Sequence, residues 1–598
     1  MSKVIERSQM NKAAQWDIDI MYSSPEALLA EYGKVEALIE KISVYKGQLM
    51  ASADNLYTVF NLQLEIARII ENVSTYSKMK LDEDTRVSDH QVMNSKAESL
   101  GVKAQEALSF IIPEILASDE KVIESYLKSH NELSIFSQMV DDILRRKPHT
   151  LNSREEQLLA MAGDIASTPY NTFEMLNGAD FKFPIIKDEK GEDLQLTHGS
   201  FVPTMESKDR TVRQNAYEAF YSVYKGHINT MAALLQAEVK KNSFFARAKQ
   251  FETAREASLF ENNVPVLVYD QLIEAVNKNL PAMHKYIGIR KRLLGVETLK
   301  MYDVYVPIIQ SIEMKFSYEE AKELVLKSLA PLGESYVETV KKAYEENWID
   351  VYENSGKRSG AYSWGTYDSK PYILLNYHDN IDNMFTLTHE MGHSMHSHLT
   401  RSNQPYLYGN YSIFLAEVAS TTNEALLNQY MLENVKSKEE KLLILNHYLE
   451  QFRGTVFRQT MFAEFERDMH KMVEDGGAIT AELLKAHYRE LNEKYYGPDM
   501  ELDDTIAVEW ARIPHFYYNF YVFQYATGFA AAVALSEAIV NEGQPAVDRY
   551  LNFLSSGNSA YPVDILKAAG ADMASGKPVE ACLALFSKLV DEFDELLK

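Results

Sequence analysis

The chain has 598 residues, 46% of them hydrophobic and 25% charged, an ordinary globular balance that excludes disordered and low-complexity classes. Its 61 Lys and Arg stand against 86 Asp and Glu, a formal net charge of −25, and such a field repels phosphate backbones, so a nucleic-acid partner is not expected. The single cysteine, Cys582, excludes an intrachain disulfide and any thiolate zinc knuckle. Its apolar neighbours mark it as a buried, inert thiol.

The opening MSKVIERSQMNKAAQW carries no apolar h-region, so no secretory signal is read there. The most apolar stretch, Gly528 to Val540, is interrupted by Ser536 and Glu537 and is too short to span a bilayer. A soluble cytoplasmic protein with no membrane partner is expected.

In chain order, Ser24 or Pro25 opens a helix to about Ser43, striped by Leu28, Leu29, Tyr32, Val35, Leu38 and Ile39. Further helical patterns cover 53–78, 85–117, 119–129, 133–146 and 153–166. Phe183-Pro-Ile-Ile and Leu194-Gln-Leu flank the polar Asp188-Glu-Lys-Gly-Glu, a hairpin signal that marks a boundary near residue 200. Ser207 then caps a pattern running to Gln250, and others follow at 266–294, 317–328 and 333–346. Between Trp348 and Tyr377 glycines punctuate short β-prone runs, after which helices dominate. The expectation is a mostly α protein: an N-terminal helical region, 1–200, and a larger region, 201–598, holding one small sheet.

The chemistry concentrates in Thr388-His-Glu-Met-Gly-His393. On a helix, His389 and His393 lie about 40° apart, so both imidazoles reach one tetrahedral zinc. Glu390 projects about 100° away, placed for a water rather than for the metal. Asn380 or Asp382 supplies an N-cap. A metzincin would carry Gly at 396 and His at 399; His396 and Leu399 stand there. The best third ligand is Glu417 or Glu424 of a second helix, Phe414-Leu-Ala-Glu-Val-Ala-Ser-Thr-Thr-Asn-Glu424, although either taken alone reads as an ordinary solvated glutamate. Glu417 and Glu424 are two turns apart on one face, and spacing does not choose between them.

Two other segments stand out. In Ile513 to Gly528, read as a helix begun by Pro514, Phe516, Phe520 and Phe523 share one side. His515, Tyr518, Tyr521 and Tyr525 share the other, which separates packing rings from rings with a polar tip. This is either a two-sided core helix or a row of hydrogen-bond donors. Tyr372-Ile-Leu-Leu-Asn376, just before the metal helix, is either an edge strand able to pair with an extended peptide through Tyr372, Ile373 and Leu374, or a strand fully paired within the sheet.

His389-Glu-Met-Gly-His-Ser-Met-His and Phe414-Leu-Ala-Glu-Val-Ala-Ser, with Trp16-Asp-Ile-Asp-Ile-Met-Tyr, Gly356-Lys-Arg-Ser-Gly-Ala and Pro371-Tyr-Ile-Leu-Leu-Asn, resemble the thimet-oligopeptidase-like family of zinc metallopeptidases, and within it the oligoendopeptidase F group. The resemblance spans nearly the whole chain. It implies a two-lobed helical fold around a deep substrate channel and a zinc endopeptidase acting on short, unfolded oligopeptides. It implies one Zn²⁺ per chain on His389, His393 and Glu417, with Glu390 as general base and Glu424 orienting a ligand histidine. It further implies His515, Tyr521 and Tyr525 as oxyanion donors, and a strand beside the zinc for the substrate. The family's third tyrosine falls near Gly528, where this sequence departs: either Tyr518 compensates or one substrate contact is missing. His396, one turn past His393, is expected to contact substrate or support a ligand. Two rivals remain: a non-peptidase zinc hydrolase, and a peptide-binding protein with a non-catalytic zinc.

Overall fold

The computed structural model describes residues 4–309 and 314–598. The first long helix forms where expected, because Ser24 accepts a hydrogen bond from the Ala27 N–H at 3.2 Å and Pro25 occupies the first helical turn. Its buried Leu28, Val35 and Ile42 join a core with helices Ala53–Glu83 and Ser88–Leu108. Helices dominate throughout. The described strands are five short segments in two sheets.

Strands β1, Ile185–Lys187, and β2, Asp193–Gln195, form the antiparallel hairpin read from the sequence. Strands β3, Ile349–Asp350, β4, Tyr362–Trp364, and β5, Tyr372–Leu374, make the second sheet in the order β3-β5-β4. Strand β5 runs parallel to β3 and antiparallel to β4. It is therefore central and paired on both sides, with Tyr372, Ile373 and Leu374 fully buried. The edge-strand reading of β5 is corrected: the edge on that side is β4. Trp16 explains the early aromatic motif. Its ring packs 6.2 Å from both Tyr362 and Tyr372, its indole N–H donates to Glu83 at 2.8 Å, and Tyr372 donates its hydroxyl proton to Asp17 O at 2.9 Å.

Several long helical patterns are broken. Residues 210–248 form Arg210–Gly226 and Ile228–Ala248, separated by His227 off the helical region, and Asp209, rather than Ser207, caps the first. The 266–294 pattern breaks at Asn279, next to Pro281, and the 85–117 pattern breaks around Ser109 and Phe110. One off-helix residue barely shifts the phase of an apolar stripe, so periodicity reads through it. Helix Phe523–Glu542 is longer than its apolar stretch and, by length and composition alone, could cross a membrane; 67% of that window is buried inside the protein, as in a core helix. Cys582 is buried, and burial raises its thiol pKa well above the usual range.

Contacts divide the chain into two compact units, each assembled from three segments. The first comprises residues 1–148, 314–430 and 535–570, and holds the three-stranded sheet. The second comprises 149–313, 431–534 and 571–598. The boundary read near residue 200 falls inside the second unit.

Candidate active site

In the first unit, Asn380 caps helix Ile381–Asn403 by accepting from the Asn383 N–H at 2.8 Å. Met384, Leu387 and Met391 are fully buried and fix the roll of this metal helix. His389 and His393 then share a face, their ring centroids 4.8 Å apart. The chain returns in helix Ile413–Asn434.

That return places the two glutamates differently against the histidines. Glu417 Oε2 lies 3.3 Å from His389 Nε2 and 3.8 Å from His393 Nε2. With metal–ligand bonds of 2.0–2.1 Å, tetrahedral donors sit about 3.3 Å apart. All three donor atoms fall within 4.8 Å of one another, so the set fits a zinc ion. Glu424 instead accepts from His389 Nδ1. That bond fixes the tautomer and leaves Nε2 free to ligate.

The electrostatics also call for a cation. Burial disfavours a charged His389, yet its hydrogen bonds to Glu417 and Glu424 hold its pKa well above the usual imidazole range. Burial, with the charge of His389, lowers His393 to about 4. Glu417 is drawn down to about 2; burial opposes this, and the two histidines outweigh it.

Glu390 is 7% exposed. Burial, helped by the charges of Glu417 and Glu424, raises its carboxyl to about 7. The backbone of Ser363, on edge strand β4, opposes that rise slightly. Ser363 Oγ also lies 2.8 Å from Ser394 Oγ on the metal helix, tying edge strand to helix. Neither serine was singled out from the sequence, where a serine carries no distinctive signal. Gly356 has φ +80°, and a Cβ there would collide with Asp84 and Arg86. Lys357, fully buried, pairs with Asp350 at 2.6 Å, so this glycine loop is pinned at its start.

Gly392 was also missed, although a glycine in mid-helix costs roughly 1 kcal/mol against alanine and so hints at a close approach. A Cβ at residue 392 would lie 2.6 Å from Ser420 Cα and 2.8 Å from the Ala419 carbonyl oxygen. Both are backbone atoms of the returning helix, three residues from Glu417 or fewer. Gly392→Ala is expected to push the two helices apart, costing roughly 1–3 kcal/mol and weakening metal retention. Thermal unfolding with and without added zinc checks this, and an unchanged midpoint would refute it.

His396 is fully buried, its ring stacked 3.6 Å from Tyr411 at an interplanar angle of 9°. It packs inside the unit, also against Phe553. Tyr411, also missed, donates to the His393 carbonyl at 3.4 Å and meets Ser397 Oγ at 2.8 Å.

In the second unit the 514–528 segment is not one helix. Pro514–Tyr517 is a single 3₁₀ turn, and an α-helix begins at Phe523. Between them Asn519 and Phe520 take φ of 47° and 58°. The sorting of side chains survives: Phe516, Phe520 and Phe523 are buried, whereas Tyr518 is 42% exposed. His515, Tyr518, Tyr521 and Tyr525 remain together. The His515 ring lies 5.6 Å from Tyr518 and 5.8 Å from Tyr525, and the rings of Tyr521 and Tyr525 are 5.4 Å apart. Tyr525 Oη is 3.5 Å from His515 Nε2. Burial, with the charge of Arg458, lowers the His515 pKa from its usual imidazole value.

Known proteins resemble this chain along nearly its whole length. Residues 114–183 match the family model described as Oligopeptidase F. Oligopeptidase PepF of Bacillus subtilis is 49% identical over 592 residues, covering 99% of this chain and 88% of its own length. Group B oligopeptidase PepB of Streptococcus agalactiae is 45% identical, over 99% of this chain and 98% of its own. The crystal structure of oligoendopeptidase-F from Enterococcus faecium superposes with a TM-score of 0.75 at 39% identity, over 95% of this chain and 98% of that one. Residues 204–585 match the model of Peptidase family M3, and with relatives this similar along nearly its whole length the chain belongs to that family.

Proposed function

We propose that the protein is a zinc-dependent endopeptidase that hydrolyses short, unfolded oligopeptides. The observation that carries the reading is the pairing of a preformed His389–His393–Glu417 donor set with a buried carboxylate, Glu390, that ligates nothing. A structural metal has no use for a neighbouring base, which argues against a purely peptide-binding protein. The oligopeptidase names of the relatives favour peptides over other hydrolysable substrates.

His389 Nε2, His393 Nε2 and Glu417 Oε2 would hold the ion, and Glu424 orients His389 through Nδ1. When bound, zinc supplies Lewis acidity, lowering the pKa of water to about 7 and polarising a carbonyl. Glu390 accepts the proton of the attacking water at its carboxylate. It then returns the proton to the leaving amine. His515, Tyr521 and Tyr525 are assigned as donors to the developing oxyanion on the family resemblance, with Tyr518, the most exposed phenol, as a further substrate contact. Extended substrate is assigned to the edge strand β4, which takes over the role expected of Tyr372, Ile373 and Leu374.

A digest of a mixed peptide library, read by mass spectrometry, tests this. Cleavage of short peptides that stops with chelator and returns with zinc is expected; peptide binding without cleavage would refute it. Tyr525→Phe is expected to lower kcat by roughly 10²-fold with little change in KM, because an oxyanion donor acts in the transition state. A rise in KM alone would make Tyr525 a ground-state contact.

A further inference from the structure

Two consecutive non-glycine residues in the left-handed region do not hold themselves there, because each places its Cβ against its own carbonyl. Five non-glycine residues have positive φ among those described, and only Asn519 and Phe520 are adjacent. They sit between His515 and Tyr518 on one side and Tyr521 and Tyr525 on the other, so the direction of this turn sets where those side chains point. Strain of this kind persists only where the surroundings over-determine it.

The restraints come from inside the second unit. Glu466, on helix Arg458–Glu474 and fully buried, accepts the Phe520 N–H at Oε1, 2.7 Å away. Ser258 Oγ donates to the Asn519 carbonyl at 2.6 Å. The Phe520 ring is packed 4.4 Å from His470 and 5.7 Å from Tyr269. His470 is itself held, its Nδ1 2.9 Å from the Glu466 carbonyl and its Nε2 3.3 Å from Asn242 Nδ2. Nothing in the metal chemistry requires a buried carboxyl group on this helix, and its side chain has one hydrogen-bond partner, the backbone of the strained turn.

We propose that Glu466 is a positioning residue for the reaction: its buried carboxyl group, with Ser258 as a second tie, holds the left-handed Asn519–Phe520 turn and thereby fixes Tyr521 and His515 as hydrogen-bond donors. The inference rests on the donor roles assigned above. Burial, reinforced by Glu238, raises the Glu466 carboxyl to about 8, so it acts as a neutral acceptor near pH 7. A glutamine carbonyl can do the same work, and an alkyl chain of similar bulk cannot.

The test compares Glu466→Leu, Glu466→Gln and Ser258→Ala, using an internally quenched oligopeptide and the zinc-loaded full-length protein. Glu466→Leu is expected to lower kcat roughly 10- to 100-fold, the scale of an ångström misplacement of a reacting group, with KM and zinc content nearly unchanged. Glu466→Gln is expected to restore most of that loss. Adding Asn519→Gly to Glu466→Leu should recover part of it, because glycine adopts positive φ without the Cβ penalty. A Glu466→Leu protein with the original kcat, or a Glu466→Gln protein as impaired as Glu466→Leu, overturns the proposal. If Glu466→Leu does not fold, Ser258→Ala decides: a several-fold lower kcat supports the tie and an unchanged kcat overturns it. Tyr521→Phe and Tyr525→Phe in the same assay separate the two readings. If they leave kcat unchanged, the donor assignment fails; if they lower it and Glu466→Leu does not, only the positioning role fails.

Discussion

Glu390→Gln is expected to remove peptide cleavage by roughly 10²–10⁴-fold, the contribution of a positioned general base, while the protein keeps its zinc. The two side chains have the same shape, so the packing around residue 390 is kept. What glutamine cannot do is take a proton. The ligand atoms lie on His389, His393 and Glu417, so none is lost. Turnover should fall with metal content constant by elemental analysis. Undiminished turnover would rule Glu390 out as the base, and loss of zinc would show that it shapes the metal centre.

The second large effect separates Glu417 from Glu424. Glu417→Ala removes the carboxylate that lies against both imidazole Nε2 atoms, and a two-histidine remnant should not retain zinc through gel filtration. Glu424→Ala leaves all three donor atoms and removes the acceptor at His389 Nδ1. Loss of such a partner typically weakens metal affinity 10- to 100-fold, so this variant should bind zinc at higher free concentrations. A competition titration against a chromogenic chelator measures both. The reverse ranking would exchange their roles.

The metal helix was the most legible part of the molecule. Its cap at Asn380, its buried face and the four-residue spacing of His389 and His393 are local properties, set within one element by the helical repeat. The hairpin at β1 and β2 was legible for the same reason. The 514–528 segment was half legible. Its separation of Phe516, Phe520 and Phe523 from the phenols follows from burial and holds, whereas the helix inferred from that separation does not form. The two left-handed residues that break it are held by Glu466 and Ser258, distant in the chain and invisible to a local pattern. The role of Gly392 was hidden similarly, since only the crossing helix at Ala419 and Ser420 shows why a side chain is excluded.

The sequence by itself determined the residue types on which the proposed chemistry is built, imidazoles and carboxylates in place of thiolates, and a mostly helical frame with little sheet. These follow from residue types and short spacings, which survive whatever the rest of the chain does. The tertiary structure decided the assignments that depend on which segments meet. It set Glu417 against both Nε2 atoms and Glu424 against Nδ1, made β4 rather than β5 the edge, and buried His396 against Tyr411. Two glutamates seven residues apart share a helix face, and a three-residue strand reads the same at an edge or a centre. Only the packing of distant elements distinguishes them.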